Sequence, residues 1–148
     1  MINIFIDTSG SMSEMGKDSG AIYVVKSIQD YCEFHNVKTN LYKFNGYTVS
    51  DVTSIKFNEN IDIGVLKEFI KSKNLVGNIL ISDGLFNEEK LDDMVSISIG
   101  IDADIFNLKK VSSKVFEVEN IIEAVEYLLF IHKESTSVQE EDDDDDWD

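Results

Sequence analysis

Arginine and proline are absent from this 148-residue chain, cysteine occurs once and histidine twice. Without arginine the chain lacks the planar fork suited to bidentate phosphate recognition, and all 13 basic residues are lysine. The net charge of −16 argues further against a nucleic-acid ligand, because binding one needs a basic surface. A metal ion or a basic protein face suits this charge better. The lone Cys32 excludes an intramolecular disulfide and gives no sign of a secreted scaffold. No stretch approaches the ~20 apolar residues of a spanning helix, so no membrane segment is expected. The opening MINIFID has neither the basic start nor the apolar run of a signal peptide, and the expected location is cytoplasmic.

What is present is enough for one domain. The chain is 43% hydrophobic and 10% aromatic, a composition that supports a folded core. Ile2, Ile4 and Ile6 form a short apolar run that stops at Asp7, the pattern of a buried strand. The following DTSGSMSEMGKDSG is a loop rich in Ser, Gly and acids. From about Asp18, Ala21, Val25, Ile28 and Cys32 recur at helical spacing. Val37 to Phe44 predicts a second strand, and the β-branched stretch Tyr47 to Phe57 a third, short one at an edge. Ile63, Leu66 and Ile70 mark a second helix. Gly77 to Ser82 is a continuous apolar run stopped by Asp83-Gly84, as in a strand covered on both faces. Met94 to Ile101 predicts another strand, Ala103 to Lys110 a short helix, Lys114 to Val118 a last strand, and Glu119 to Lys133 a closing helix. This alternation predicts an α/β fold: an open, mainly parallel sheet with helices on both faces, in three layers.

The domain is expected over 1–134, followed by an acidic tail over 135–148. Residues 140–148 read EEDDDDDWD, eight acids in nine positions, which leaves 21 acids against 13 lysines and a net of −8 for 1–139. A like-charged run without periodicity predicts a disordered segment. Trp147 inside it has the look of a docking motif for a second partner, in which charge steers and the aromatic ring anchors.

In an open parallel sheet, ligands sit where loops leave the carboxyl ends of strands. Two such loops carry hard oxygen donors. Asp7, Ser9 and Ser11 are spaced by two, so in an extended loop one carboxylate and two hydroxyls can face a common point. Asp83-Gly84 closes the GNILIS strand, and if the two strands are neighbours Asp83 lies close to Asp7. Carboxylates ~4 Å apart repel by about 4 kcal/mol at an effective dielectric of 20, a repulsion that a divalent cation removes. Oxygen-only donors favour Mg²⁺, Mn²⁺ or Ca²⁺ over Zn²⁺.

A strand followed by DTSGSMS, a helix, and a later strand ending in SDG resembles the von Willebrand factor type A (vWA) domain with its metal-ion-dependent adhesion site (MIDAS). Asp7, Ser9 and Ser11 match the Asp-x-Ser-x-Ser motif in full, Asp83 and Gly84 match the later Asp-Gly, and the resemblance spans residues 1 to about 134. It implies a non-catalytic adaptor whose metal keeps an open position for a Glu or Asp of a protein partner, in assemblies that include AAA+ ATPases. One departure stands out. Ile61 falls where the family places a Thr ligand, and Asn60, Asp62, Thr48, Thr53 or a water are the candidates to replace it.

Two other readings compete. A phosphotransferase of the haloacid-dehalogenase type also places an Asp after its first strand and binds Mg²⁺, but needs a second carboxylate two residues on as general acid. Ser9 stands there, and no lysine is evident beside the site. A metal-free scaffold is the alternative if Ile61 abolishes the cation site. Cys32 and His35 read as packing and solvent contact, and His132 as a helix-terminal residue meeting the dipole.

Overall fold

The computed structural model describes residues 1–131 apart from Glu88 and Asp92. Five strands, β1 (Ile2–Ile6), β2 (Thr39–Lys43), β3 (Asn78–Ser82), β4 (Met94–Ser98) and β5 (Lys114–Glu117), form one sheet in the order β2-β1-β3-β4-β5. Every pairing is parallel. Four helices cover it: α1 (Lys17–Phe34), α2 (Ile63–Lys73), α3 (Ile105–Val111) and α4 over 121–131. The three-layer α/β architecture is the expected one.

Side-chain alternation along the strands makes two cores. Ile2, Ile4 and Ile6 of β1, with Ile79, Ile81, Val95 and Ile97, pack on one face against Ala21, Val24, Val25 and Ile28 of α1 and Ala124, Val125 and Leu128 of α4. Phe5, Leu80 and Met94 point the other way, onto Ile63, Leu66 and Ile70 of α2 and Leu108 of α3. Both faces of β1, β3 and β4 are buried, which is why these strands read as continuous apolar runs rather than alternating ones.

The strand expected over Tyr47 to Phe57 does not form. Its one ladder contact among the described residues is an isolated antiparallel bridge between Tyr42 and Thr48. The cause is local: the Asp51 carboxylate accepts from both the N–H and the hydroxyl of Thr53 and caps a 3₁₀ turn at Val52–Ser54. Such side-chain bonds to nearby backbone compete with a sheet ladder. Val52, Ile55 and Phe57 then bury themselves against the α1 core without strand pairing.

Strand order decides where a ligand would sit. From β1 the chain moves to β2 on one side, then returns to place β3 on the other, so β1 and β3 flank the switch point of the sheet. Loops leaving their carboxyl ends diverge there and open a crevice. Asp7 and Asp83 are the first residues beyond those two strands. The proposed acidic tail and Trp147 lie outside the described residues, as does His132.

Candidate metal centre

Asp7 is fully buried, and pairing with β3 runs one residue past β1 to hold it: its N–H donates to the Ile81 carbonyl at 2.9 Å. Its carboxylate is hydrogen-bonded by Ser82 and by both the backbone and the hydroxyl of Ser9. The Ser9 N–H donates to Oδ1 at 2.9 Å, and the Ser82 hydroxyl to Oδ2 at 2.5 Å. Burial pushes the Asp7 carboxyl above its ordinary value; these hydrogen bonds pull it down, and the nearby Asp83 charge pushes it up again. The two aspartates are therefore electrostatic neighbours, as the adjacency of β1 and β3 requires.

After Asp7 the chain winds into a 3₁₀ turn at Gly10–Ser13, anchored by the buried Met12. That turn brings the Ser9 and Ser11 hydroxyls into a hydrogen bond with each other at 3.1 Å. Around an octahedral cation with metal–oxygen bonds of 2.0–2.1 Å, adjacent ligand oxygens stand about 3 Å apart. The hydroxyl pair thus has the spacing of two neighbouring ligands, and Asp7 supplies the charge. The donor set fits a hard divalent ion. Ser11 is half-buried and Gly10 exposed, so solvent reaches the site from that side. Among the described residues no group of three or more His, Cys, Asp or Glu side chains converges as ligands, so any cation here would be held by few charges and several neutral oxygens.

Asp83 is also fully buried, but its carboxylate faces a lysine. Lys17 Nζ donates to Asp83 Oδ2 at 3.0 Å and to both oxygens of Asp102 at 3.0 Å. The remaining oxygen, Asp83 Oδ1, accepts from the Leu85 N–H at 3.1 Å. Burial pulls the Lys17 ammonium down, but the hydrogen bonds and charges of Asp102 and Asp83 outweigh it and raise its pKa. It stays protonated. Sequence reading placed no lysine beside the site; Lys17 is there, delivered by a turn in which Met15 and Gly16 both take positive φ (53° and 73°) just before α1 begins. The signal was a cation at a helix N-terminus, where the dipole disfavours it, ten residues after Asp7. Asp102 comes from the loop after β4.

Gly84 has φ 75°, and a Cβ there would lie 2.6 Å from the Asp104 carbonyl oxygen. The Asp-Gly is thus a required tight passage that lets the loop after β3 dock on α3. Asn107 of α3 fastens it by donating to the carbonyls of Gly84 and Phe86.

Of the residues that could stand in for the Thr ligand, Asp62 and Thr53 are engaged elsewhere. Asp62 Oδ1 caps α2 by accepting from the Gly64 N–H at 2.8 Å and also takes the Asn87 amide at 3.1 Å. Asn60 and Ile61 line a cleft of about 100 Å³ with Thr8, Phe44 and Glu59. Thr53 donates to Asp51, and Thr48 is exposed against the outer strand β2. Glu59 is bonded directly to the DTSGS loop. It forms a parallel bridge with Ser9, its N–H donates to the Thr8 carbonyl at 3.1 Å, and its Oε1 accepts the Thr8 hydroxyl. Nothing in the local sequence marked Glu59, since its role depends on a contact 51 residues away. Cys32 packs in the core, and His35 ends α1 against Tyr31 and Phe34. They lie at the far end of an 18-residue helix, about 27 Å long at 1.5 Å per residue.

Among the described residues no helix is long and apolar enough to cross a membrane. No protein-family model and no curated protein sequence matches the chain.

Proposed function

We propose that this chain is a non-catalytic, metal-dependent protein-binding module of the vWA type. Asp7, Ser9 and Ser11 would hold a divalent cation, Mg²⁺ or alternatively Mn²⁺ or Ca²⁺, with Asp83 behind them. The observation that carries the reading is the Ser9–Ser11 hydroxyl pair, 3.1 Å apart beside a buried Asp7 at the β1/β3 crevice. A cation bound there would offer an open coordination position to a Glu or Asp of a partner. Such charge-completed contacts give orientation and specificity as well as affinity. The resemblance extends the proposal to an adaptor role in a larger assembly, one containing an AAA+ ATPase.

Calorimetric titration with Mg²⁺, Mn²⁺ and Ca²⁺ tests this directly. Saturable heat in the parent protein that disappears in Ser9→Ala/Ser11→Ala supports the module. Absence of heat with all three ions in the parent would leave the metal-free scaffold as the better reading.

Lys17 lends some weight to the phosphotransferase alternative, which needs a lysine near its carboxylates. Its ammonium, however, grips Asp83 and Asp102 rather than Asp7, and Ser9 stands where the general acid belongs. Steady release of phosphate from an aryl phosphate in Mg²⁺ would favour that alternative; none is expected.

A further inference from the structure

Resting on the cation reading, we propose that Lys17 is a resident cation of the site: it claims Asp83 for itself and leaves a divalent ion to Asp7, Ser9 and Ser11.

Three observations meet here. An ammonium has three donors, and Lys17 Nζ has three carboxylate oxygens at 3.0 Å, one from Asp83 and two from Asp102. With Leu85 donating to the other oxygen, both Asp83 oxygens have partners within the chain. Asp7 is different: its donors are the Ser9 N–H and the neutral hydroxyls of Ser82 and Ser9, with no cation.

The lysine's seat is built. Its side chain is 1% exposed, and its stem crosses Gly100, where a Cβ would stand 2.5 Å from Lys17 Cδ and 2.9 Å from Asp102 Oδ1. Gly100 has φ 95°, a conformation that favours glycine. A buried lysine at a helix N-terminus meets an unfavourable dipole, so the two carboxylates fix it there.

The consequence is a matter of charge. Among the buried groups, Asp83 and Lys17 sum to zero. Asp102, the third charge of the cluster, is 36% exposed and screened by solvent, so Asp7 is the buried carboxylate left to offset a divalent ion. The site then binds the bare ion weakly and keeps one net positive charge on it. A partner's carboxylate cancels that charge, which makes capture of the ion and of an acidic partner mutually reinforcing. Without Lys17, both aspartates would neutralise the ion, and the incentive for a third carboxylate would vanish.

Mn²⁺ titration of the full chain, followed by calorimetry and by the electron paramagnetic resonance of free Mn²⁺, tests the assignment. Lys17→Met frees Asp83, and its Mn²⁺ dissociation constant is expected to fall at least about tenfold, since a nearby positive charge is gone. Its thermal midpoint should rise more with Mn²⁺ than the parent's does. Lys17→Met/Asp83→Asn removes a pair of zero net charge and should stay within about threefold of the parent. A folded Lys17→Met with unchanged or weaker affinity would overturn the proposal. So would a tenfold loss in the double variant, which would make Asp83 a ligand in the parent. If Lys17→Met fails to fold without ion, the double variant decides. Measurable but weaker Mn²⁺ binding by the parent than by Lys17→Met supports the proposal, whereas no binding by the parent overturns the cation reading beneath it, whatever the variant does.

Discussion

Asp7 carries a fully buried carboxylate, and the fold compensates it with hydrogen bonds from Ser9 and Ser82 instead of a counter-ion. Its pKa is raised in the folded chain, so the native state binds the Asp7 proton more readily than the unfolded state does. Between the ordinary value of 3.8 and the raised one, stability therefore falls as pH rises. Above the raised value the full penalty is present. Asp7→Asn removes this titration. In EDTA, denaturant midpoints measured at successive pH values should show the parent losing stability relative to Asp7→Asn as pH rises through that window. The same substitution should abolish cation heat. A variant that loses binding without losing metal-free stability separates a ligand from a structural residue.

The donor types at this scale were legible. A carboxylate and two hydroxyls at alternate positions after an apolar run are visible in the letters. That Ser82 would donate to Asp7 was not, because its hydroxyl could equally have faced away from the crevice.

At the level of elements, strand ends set the positions of functional groups. The apolar runs of β1 and β3 stop at Asp7 and Asp83, where each buried carboxylate finds the hydrogen bonds or ion pair that its burial requires. Those boundaries could be read directly. Tyr47 to Phe57 misled, since strand propensity reflects fit to a pleated surface rather than a backbone preference. There the Asp51 cap closed a turn first. Asp62 belongs to the same class of local device. Asp62→Ala should cost about 1 kcal/mol through loss of the α2 cap, read by urea denaturation, while cation affinity stays within about twofold. A larger loss of affinity would make Asp62 a ligand after all. Phe5, fully buried, stacks on Tyr42 at 5.2 Å and meets Phe69 edge-on at 6.2 Å. Phe5→Ala should destabilise by roughly 3–5 kcal/mol, and the slope of the same denaturation curve should stay unchanged if only packing is lost.

For the molecule as a whole, charge is the dominant long-range property. Half of the net −16 comes from the eight acids of 140–148. Deleting those nine residues should weaken cation binding at low ionic strength, because a less negative chain attracts a divalent ion less. The gap between full-length and shortened protein should close as salt rises and the Debye length drops below about 8 Å. Titrations at ~20 mM and ~500 mM salt read this. A difference that persists at high salt would mean direct ligation by the tail.

The letters of the chain determined which chemistry is available: hard oxygen donors at the ends of two apolar strands, on an α/β scaffold whose alternation of strands and helices allows few topologies. Apart from the strand expected over Tyr47 to Phe57, they also carried the order of the elements, because period and composition are local properties. Tertiary structure alone decided which charges meet. Lys17 reaches Asp83 and Asp102 across 66 and 85 residues, and Glu59 joins the DTSGS loop through a bridge no local pattern encodes. Side-chain pairing over such separations depends on strand order and on where each loop turns. That is why the candidate ligands could be found by reading, and the lysine that competes for one of them only by folding.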